Sequence, residues 1–179
     1  MKKIKKNKSK GILFWITGLS GSGKTSIGKK IKKKIIEIYG PTLVISGDNI
    51  RKIFKFNKYT YKERYALKKK YFDFAKFVTN QNINLIFTAG LGVSDYLRRL
   101  HKRNIDNYVE IYIKTDLKKI INSKRKGIYM QKSSPIVGID IKTSFPKNPD
   151  IILRNNFKKN IQQLSTELIK KLKKYYISN

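Results

Sequence analysis

The 179 residues include no cysteine, so the chain has no disulfide framework and no thiolate to hold a metal. A single histidine, His101, argues against a histidine-based metal cluster and against a Ser-His-Asp triad. It stands among Arg98, Arg99, Lys102 and Arg103, a setting that predicts a surface residue. Acidic side chains are scarce: 11 Asp and Glu stand against 42 Lys and Arg, for a formal net charge of +31. No stretch approaches the ~18 uninterrupted apolar residues of a membrane span, so no membrane insertion is expected. With 40% hydrophobic residues the chain is globular rather than disordered, and its length fits one domain with a real core.

The charge would draw phosphates, nucleotides, nucleic acid or an anionic surface over long range. Its layout is diffuse, however. Lysine, isoleucine and asparagine are abundant throughout, not gathered on one tail or one helix face as a nucleic-acid footprint would be. No specific nucleic acid is therefore expected, although a basic nucleic-acid-binding module remains the competing reading from another functional class. Met1 to Ile16 imitates a signal peptide, with basic residues and then an apolar stretch. Cleavage there would destroy the motif that follows, so the expected setting is the cytoplasm.

That motif is Gly18-Leu19-Ser20-Gly21-Ser22-Gly23-Lys24-Thr25, which fits the phosphate-binding loop pattern. It follows the apolar run Ile12 to Ile16 and opens a segment of helical character. The glycines let successive N–H groups converge on an anion, and the helix behind them adds the positive end of its dipole. Lys24 can reach the terminal phosphates of ATP, and the Thr25 hydroxyl can bind Mg²⁺.

Alternating elements surround the loop. Strands are predicted at Ile12–Thr17, Thr42–Ser46, Ile83–Thr88, Tyr108–Lys114 and Asp150–Leu153. Helices are predicted from Lys24 to about Tyr39, Tyr61 to Asn80, Ser94 to Arg103, Asp116 to Ser123 and Asn160 to Tyr176. Ile27, Ile31, Ile35 and Ile38 mark the core face of the first helix; Phe72, Ala75 and Phe77 have core-like spacing on the second. Ala89 to Gly92 reads as a loop. The fold class is thus α/β, a three-layer P-loop NTPase arrangement with a mostly parallel sheet of about five strands and helices on both faces. Residues 1–10 form a basic lead-in, and 11–179 a single P-loop domain. Residues from about 124 to 149 hold Gly127, Pro135, Gly138, Pro146 and Pro149 with little periodicity, and read as a late lid.

The small size, the lid and the polar Gly47-Asp48-Asn49-Ile50-Arg51 at a strand's carboxyl end favour a small-molecule kinase. Asp48 can accept or orient the acceptor's hydroxyl proton, and Arg51 can hold an acceptor phosphate or sulfate bidentately. The competing reading of this pair is a helix cap with a surface partner.

Phe14 to Thr25 and Gly47 to Arg51 resemble the adenylyl-sulfate kinase family. So do Lys126-Gly127-Ile128-Tyr129, Val137-Gly138-Ile139-Asp140 and Pro146 to Asp150, in family order. The resemblance implies transfer of the ATP γ-phosphoryl group to the ribose 3′-hydroxyl of adenylyl sulfate, giving 3′-phosphoadenylyl sulfate. It also implies Mg²⁺ and often a homodimer. Gly18 to Thr25 match the ATP loop, and Asp48 and Arg51 the hydroxyl-orienting acid and the acceptor arginine. Tyr59 falls where the family has a phenylalanine against the acceptor base, and Arg64 matches a second acceptor arginine. Lys126, Ile136, Gly138, Ile139 and Asp140 fall on the acceptor side of the lid.

Departures gather on the acceptor face. Gly92 stands where a serine is usual, so no serine phospho-intermediate is supported. The arginine of that stretch is missing, with Arg98 or Arg99 as candidate stand-ins. Leu67 replaces an asparagine, Ile136 replaces a lid phenylalanine, and Ser123-Lys124 replaces an Arg-Asp pair. The alternative acceptor is therefore another nucleotide, such as a cytidine diphosphate derivative of surface-polysaccharide assembly.

Overall fold

The computed structural model describes residues 9–56, 61–91, 94–123 and 144–177. Its elements run β1 (Leu13–Gly18), α1 (Lys24–Tyr39), β2 (Thr42–Ser46), α2 (Gly47–Ile53), α3 (Tyr61–Asn80), β3 (Asn84–Gly90) and α4 (Asp95–Asn104). They continue with β4 (Tyr108–Lys114), α5 (Leu117–Asn122), β5 (Ile151–Arg154) and α6 (Ile161–Ile177). The five strands form one sheet in the order β2-β3-β1-β4-β5, and each neighbouring pair is parallel. Parallel strands joined by helices need cover on both faces, and the sequence of β1 provides for it.

Every residue of β1 is buried, and its side chains divide by alternation. Phe14 and Ile16 join Ile27, Ile31 and Ile35 of α1 and Leu164, Leu168 and Leu172 of α6 on one face. Leu13 and Trp15 join Phe72, Ala75 and Val78 of α3 and Leu97 of α4 on the other. Trp15 stacks between Phe72, at 4.2 Å, and Phe87, at 4.8 Å. A third, smaller cluster of Leu19, Leu91, Tyr112 and Ile120, with Leu117 and Phe157 against it, lies at the phosphate-loop end.

Five local readings are refined or overturned by the structure. The polar residues that follow the carboxyl end of β2 form a short helix, Gly47 to Ile53, which Ser46 and Asn49 cap reciprocally. Phe77 is 64% exposed: the buried stripe of α3 runs through Tyr71, Phe72, Ala75, Val78 and Thr79, and Phe77 falls outside it. Ile38 is exposed, and its neighbour Tyr39 instead packs on Phe14 and Tyr176. His101 is buried, its ring stacked on Phe72, although basic residues flank it in sequence. β3 also extends through Ala89 and Gly90, which the sequence alone assigns to a loop.

Candidate active site

The loop from Gly18 to Lys24 joins the carboxyl end of the central strand β1 to α1. Gly23, the residue before α1, has φ 91°, and Gly21 has φ 77°, values that disfavour any side chain. Gly23, the N-cap of α1, has no side chain to cap the helix, and the first turn carries no acidic residue. A helix start of this kind offers N–H groups and the positive end of its dipole to an outside anion. Lys24 Nζ donates to the Leu19 carbonyl at 2.6 Å, folded back over the loop. The Thr25 hydroxyl lies 3.4 Å from that of Thr88, at the far end of β3.

Strand register brings the second group of residues to the same edge. Ile16 of β1 pairs with Thr88 of β3, which pairs with Ser46 of β2. α2, with Asp48 and Arg51, therefore starts at the level of the phosphate loop. It lies two strands across, on the order of 10 Å at normal strand spacing. This is the edge at which open α/β sheets bind ligands. Ser46, not Asp48, caps α2: its Oγ accepts from the Asn49 N–H at 3.0 Å, and Asn49 Oδ1 accepts from the Ser46 N–H at 3.1 Å. Asp48 sits in the first turn with its side chain 71% exposed, paired with Arg51.

Several contributors carry no sequence motif. Asn155, just past β5, is buried and its Nδ2 donates to the Ser22 carbonyl at 3.0 Å. Phe157, at φ 64°, has its N–H held by Asn155 Oδ1 at 3.0 Å and packs into the cluster beside Leu19. Only a strand followed by an asparagine that favours tight turns could have signalled this. Tyr71 is invisible for the same reason: a tyrosine on a helix's core face reads as packing alone.

Arg98, one of the two candidate stand-ins, is engaged with other described residues. It is buried, 3.7 Å from Glu110 Oε1, and donates to the Ser144 carbonyl at 2.9 Å. Arg99 is exposed. Leu67 is half-buried and packs against the apolar cluster under α3. Tyr59, Gly92, Lys126, Ile136, Gly138, Ile139 and Asp140 lie outside the described residues, as does most of the segment read as a lid, and the side chain of Arg64 lies outside them too.

Mg²⁺ fits the residues at hand. Among the described residues no group of three or more His, Cys, Asp or Glu side chains gathers to enclose a metal. An exposed Thr25 hydroxyl beside an uncapped helix start suits an ion that takes most of its ligands from phosphate and water. No described helix is long and apolar enough to cross a membrane.

A five-stranded parallel sheet with a glycine loop between its central strand and an uncapped helix defines an α/β P-loop nucleotide-binding protein. The chain belongs to the adenylylsulphate kinase family, whose sequence pattern matches residues 10–154. It is 30% identical over 169 residues to the cytidine diphosphoramidate kinase of Campylobacter jejuni, covering 92% of this chain and 98% of that protein. It is 28% identical over 151 residues to the adenylyl-sulfate kinase of Clostridium kluyveri, covering 82% and 76%. The fold matches that of the Mycobacterium tuberculosis APS kinase CysC, solved in complex with AMPPNP and APS. The TM-score is 0.80 at 24% identity, over 92% of this chain and 98% of that one. The protein is a nucleotide kinase, a phosphotransferase of P-loop type.

Proposed function

We propose that the protein transfers the γ-phosphoryl group of ATP to the ribose 3′-hydroxyl of a nucleotide, and that the acceptor is a cytidine diphosphate derivative. The observation that carries the acceptor is Leu67. Where an adenylyl-sulfate kinase has an asparagine, this chain has a half-buried alkyl side chain packed against the core beneath α3. Gly92 and Ile136 depart on the same side, while the triphosphate loop is intact. Similarity to a cytidine diphosphoramidate kinase over almost the whole length of both chains supports the same reading.

In this reading Gly18, Leu19, Ser20, Gly21, Ser22 and Gly23 hold the triphosphate through backbone N–H groups. Lys24 compensates the charge on the transferred group. Thr25 would hold Mg²⁺, which would supply neutralisation of the negative charge on the triphosphate. The acceptor oxygen bonds to the γ-phosphorus as the bond to the β–γ bridging oxygen breaks, and ADP leaves. The hydroxyl proton passes to Asp48. Arg51 binds the acceptor's anionic group. Tyr59, Arg64, Lys126, Ile136, Gly138, Ile139 and Asp140 complete the acceptor side, the last five from a lid over residues 124–149 of a single domain, 11–179. Exclusion of water by that lid keeps ATP from hydrolysis.

Adenylyl sulfate is the second reading, favoured by the family match and by Asp48 and Arg51 at their family positions. Cytoplasmic location and a homodimer belong to either reading; sedimentation equilibrium tests the dimer. Labelled ATP with cytidine diphosphoramidate, cytidine diphosphate and adenylyl sulfate, and product identification by mass, decides the acceptor. Turnover with cytidine nucleotides well above that with adenylyl sulfate is expected. The reverse order returns the protein to sulfate activation.

A further inference from the structure

We infer that Tyr71 is the positioning residue for Arg51, and that its hydroxyl divides the guanidinium between a fixed and an exchangeable nitrogen. The inference rests on the kinase reading above, with Arg51 on the acceptor side. Tyr71 projects from α3 and is 5% exposed, its ring tilted against Phe87 at 5.2 Å. Its hydroxyl donates to the Gly47 carbonyl at 3.1 Å and accepts from Arg51 Nη1 at 3.3 Å. One oxygen thus ties down the first residue of α2 and the side chain one turn later, with Asp48 between them. The ring lies so close to α2 that a Cβ at Gly47 would come within 3.3 Å of it. A Cβ there would meet the tyrosine ring in a tight contact that one of the two must ease by a few tenths of an ångström.

The two terminal nitrogens of Arg51 then have different neighbours. Nη1 faces the buried phenol; Nη2 pairs with the exposed carboxylate of Asp48. An anionic group on the acceptor displaces Asp48 at Nη2, while one N–H of Nη1 stays on the phenol and its second remains available to the anion. Binding of that anion draws Nη2 away and leaves the Asp48 carboxylate for the hydroxyl proton, while the guanidinium keeps its place. Arginine otherwise loses much rotamer freedom when it closes on a ligand, and anchoring removes part of that loss beforehand. Tyr71 touches neither reacting atom; it acts through Arg51.

Tyr71→Phe keeps the ring and removes only the hydroxyl. The acceptor KM is expected to rise about 10-fold, the loss of one hydrogen bond to a charged group, with the ATP KM unchanged. In an Arg51→Ala background the same change should cost much less in acceptor KM, because only the bond to the Gly47 carbonyl is then left to lose. An unchanged acceptor KM, or a full additional loss in the Arg51→Ala background, overturns the inference. Wild-type protein that phosphorylates no nucleotide acceptor overturns the kinase reading instead. The contact itself is read without any substrate: NMR of the Arg51 guanidinium should show faster rotation at Nη1 in Tyr71→Phe than in wild type, the Asp48 pair at Nη2 being kept in both. Equal rotation at Nη1 in the two proteins removes the anchor whatever the activity.

Discussion

The side-chain amide of Asn155 donates to the backbone carbonyl of Ser22 at 3.0 Å, joining positions 133 residues apart at the heart of the phosphate loop. The contact is buried, and Asn155 Oδ1 is meanwhile occupied by the Phe157 N–H. One side chain therefore fixes both the loop and the turn that packs Phe157 beside Leu19.

Replacing Asn155 with Ala leaves the Ser22 carbonyl without that donor, at a cost of about 1–3 kcal/mol. The ATP KM should rise about 10-fold or more, since a 1 Å misplacement of positioning groups can cost roughly 10²-fold. Chemical denaturation and steady-state kinetics on one preparation check both. Normal ATP affinity would reduce Asn155 to a fold residue.

Lys24→Ala should lower phosphoryl transfer roughly 10²–10³-fold, the range for losing one charge-stabilising donor at a transition state. The fold should survive, because Lys24 is only half-buried and its bond to Leu19 is local to the loop. Circular dichroism alongside turnover separates the two effects. Retained turnover would remove the loop from the chemistry.

The fold was legible because its signals are periodic or local. The glycine pattern from Gly18 to Lys24, the apolar runs of β1 and β3 and the isoleucine stripe of α1 each imply one element type, and alternation implies a parallel sheet. Failures came where tertiary context decides. α2 depends on a Ser46–Asn49 capping pair, whereas the usual box ends in Glu or Gln. His101 and Phe77 exchange their expected places because the phase of a helix on its sheet is not written in residue type. Asn155 and Tyr71 act through contacts 133 and 24 residues away, which no local pattern reveals. The acceptor side was legible only as departures from a resemblance, and much of it lies outside the described residues.

His101 provides a pH test that its solitude makes clean. Burial lowers its pKa from 6.5 to about 4, partly opposed by the charge of Asp73. The folded state keeps the imidazole neutral while the unfolded chain takes up a proton near 6.5. This contribution to stability is complete above about 6.5 and falls away as pH drops toward about 4. Because no other histidine is present, the imidazole proton resonances report it alone. A midpoint near 4, and loss of the stability slope between 6.5 and 5 in His101→Phe, are expected. A midpoint at 6.5 would mean an accessible ring.

Arg98→Ala is expected to act on stability, not on acceptor binding. It removes the guanidinium from beside the buried Glu110 carboxylate and from the Ser144 carbonyl. Breaking one side of a buried pair typically costs about 3–5 kcal/mol. At temperatures where the variant stays folded its acceptor KM should match wild type. A raised KM with unchanged melting would instead make Arg98 the stand-in for the missing acceptor arginine.

Asp48 separates the kinase chemistry from a capping role most sharply. The cap belongs to Ser46, so Ser46→Ala should cost about 1 kcal/mol of stability. The Asp48–Arg51 pair is exposed, and such pairs contribute about 0–1 kcal/mol, so Asp48→Asn should barely change the melting curve. Asparagine keeps the shape and can accept a hydrogen bond, but it cannot take up the acceptor's proton. Turnover should therefore fall on the order of 10²-fold or more, with both KM values near wild type. Because Arg51 Nη2 loses its carboxylate partner in this variant, the acceptor's anion meets less competition, and acceptor binding should tighten if it changes at all. A variant that turns over normally would leave Asp48 as a surface partner of Arg51, and the proton would need another receiver at this edge of the sheet.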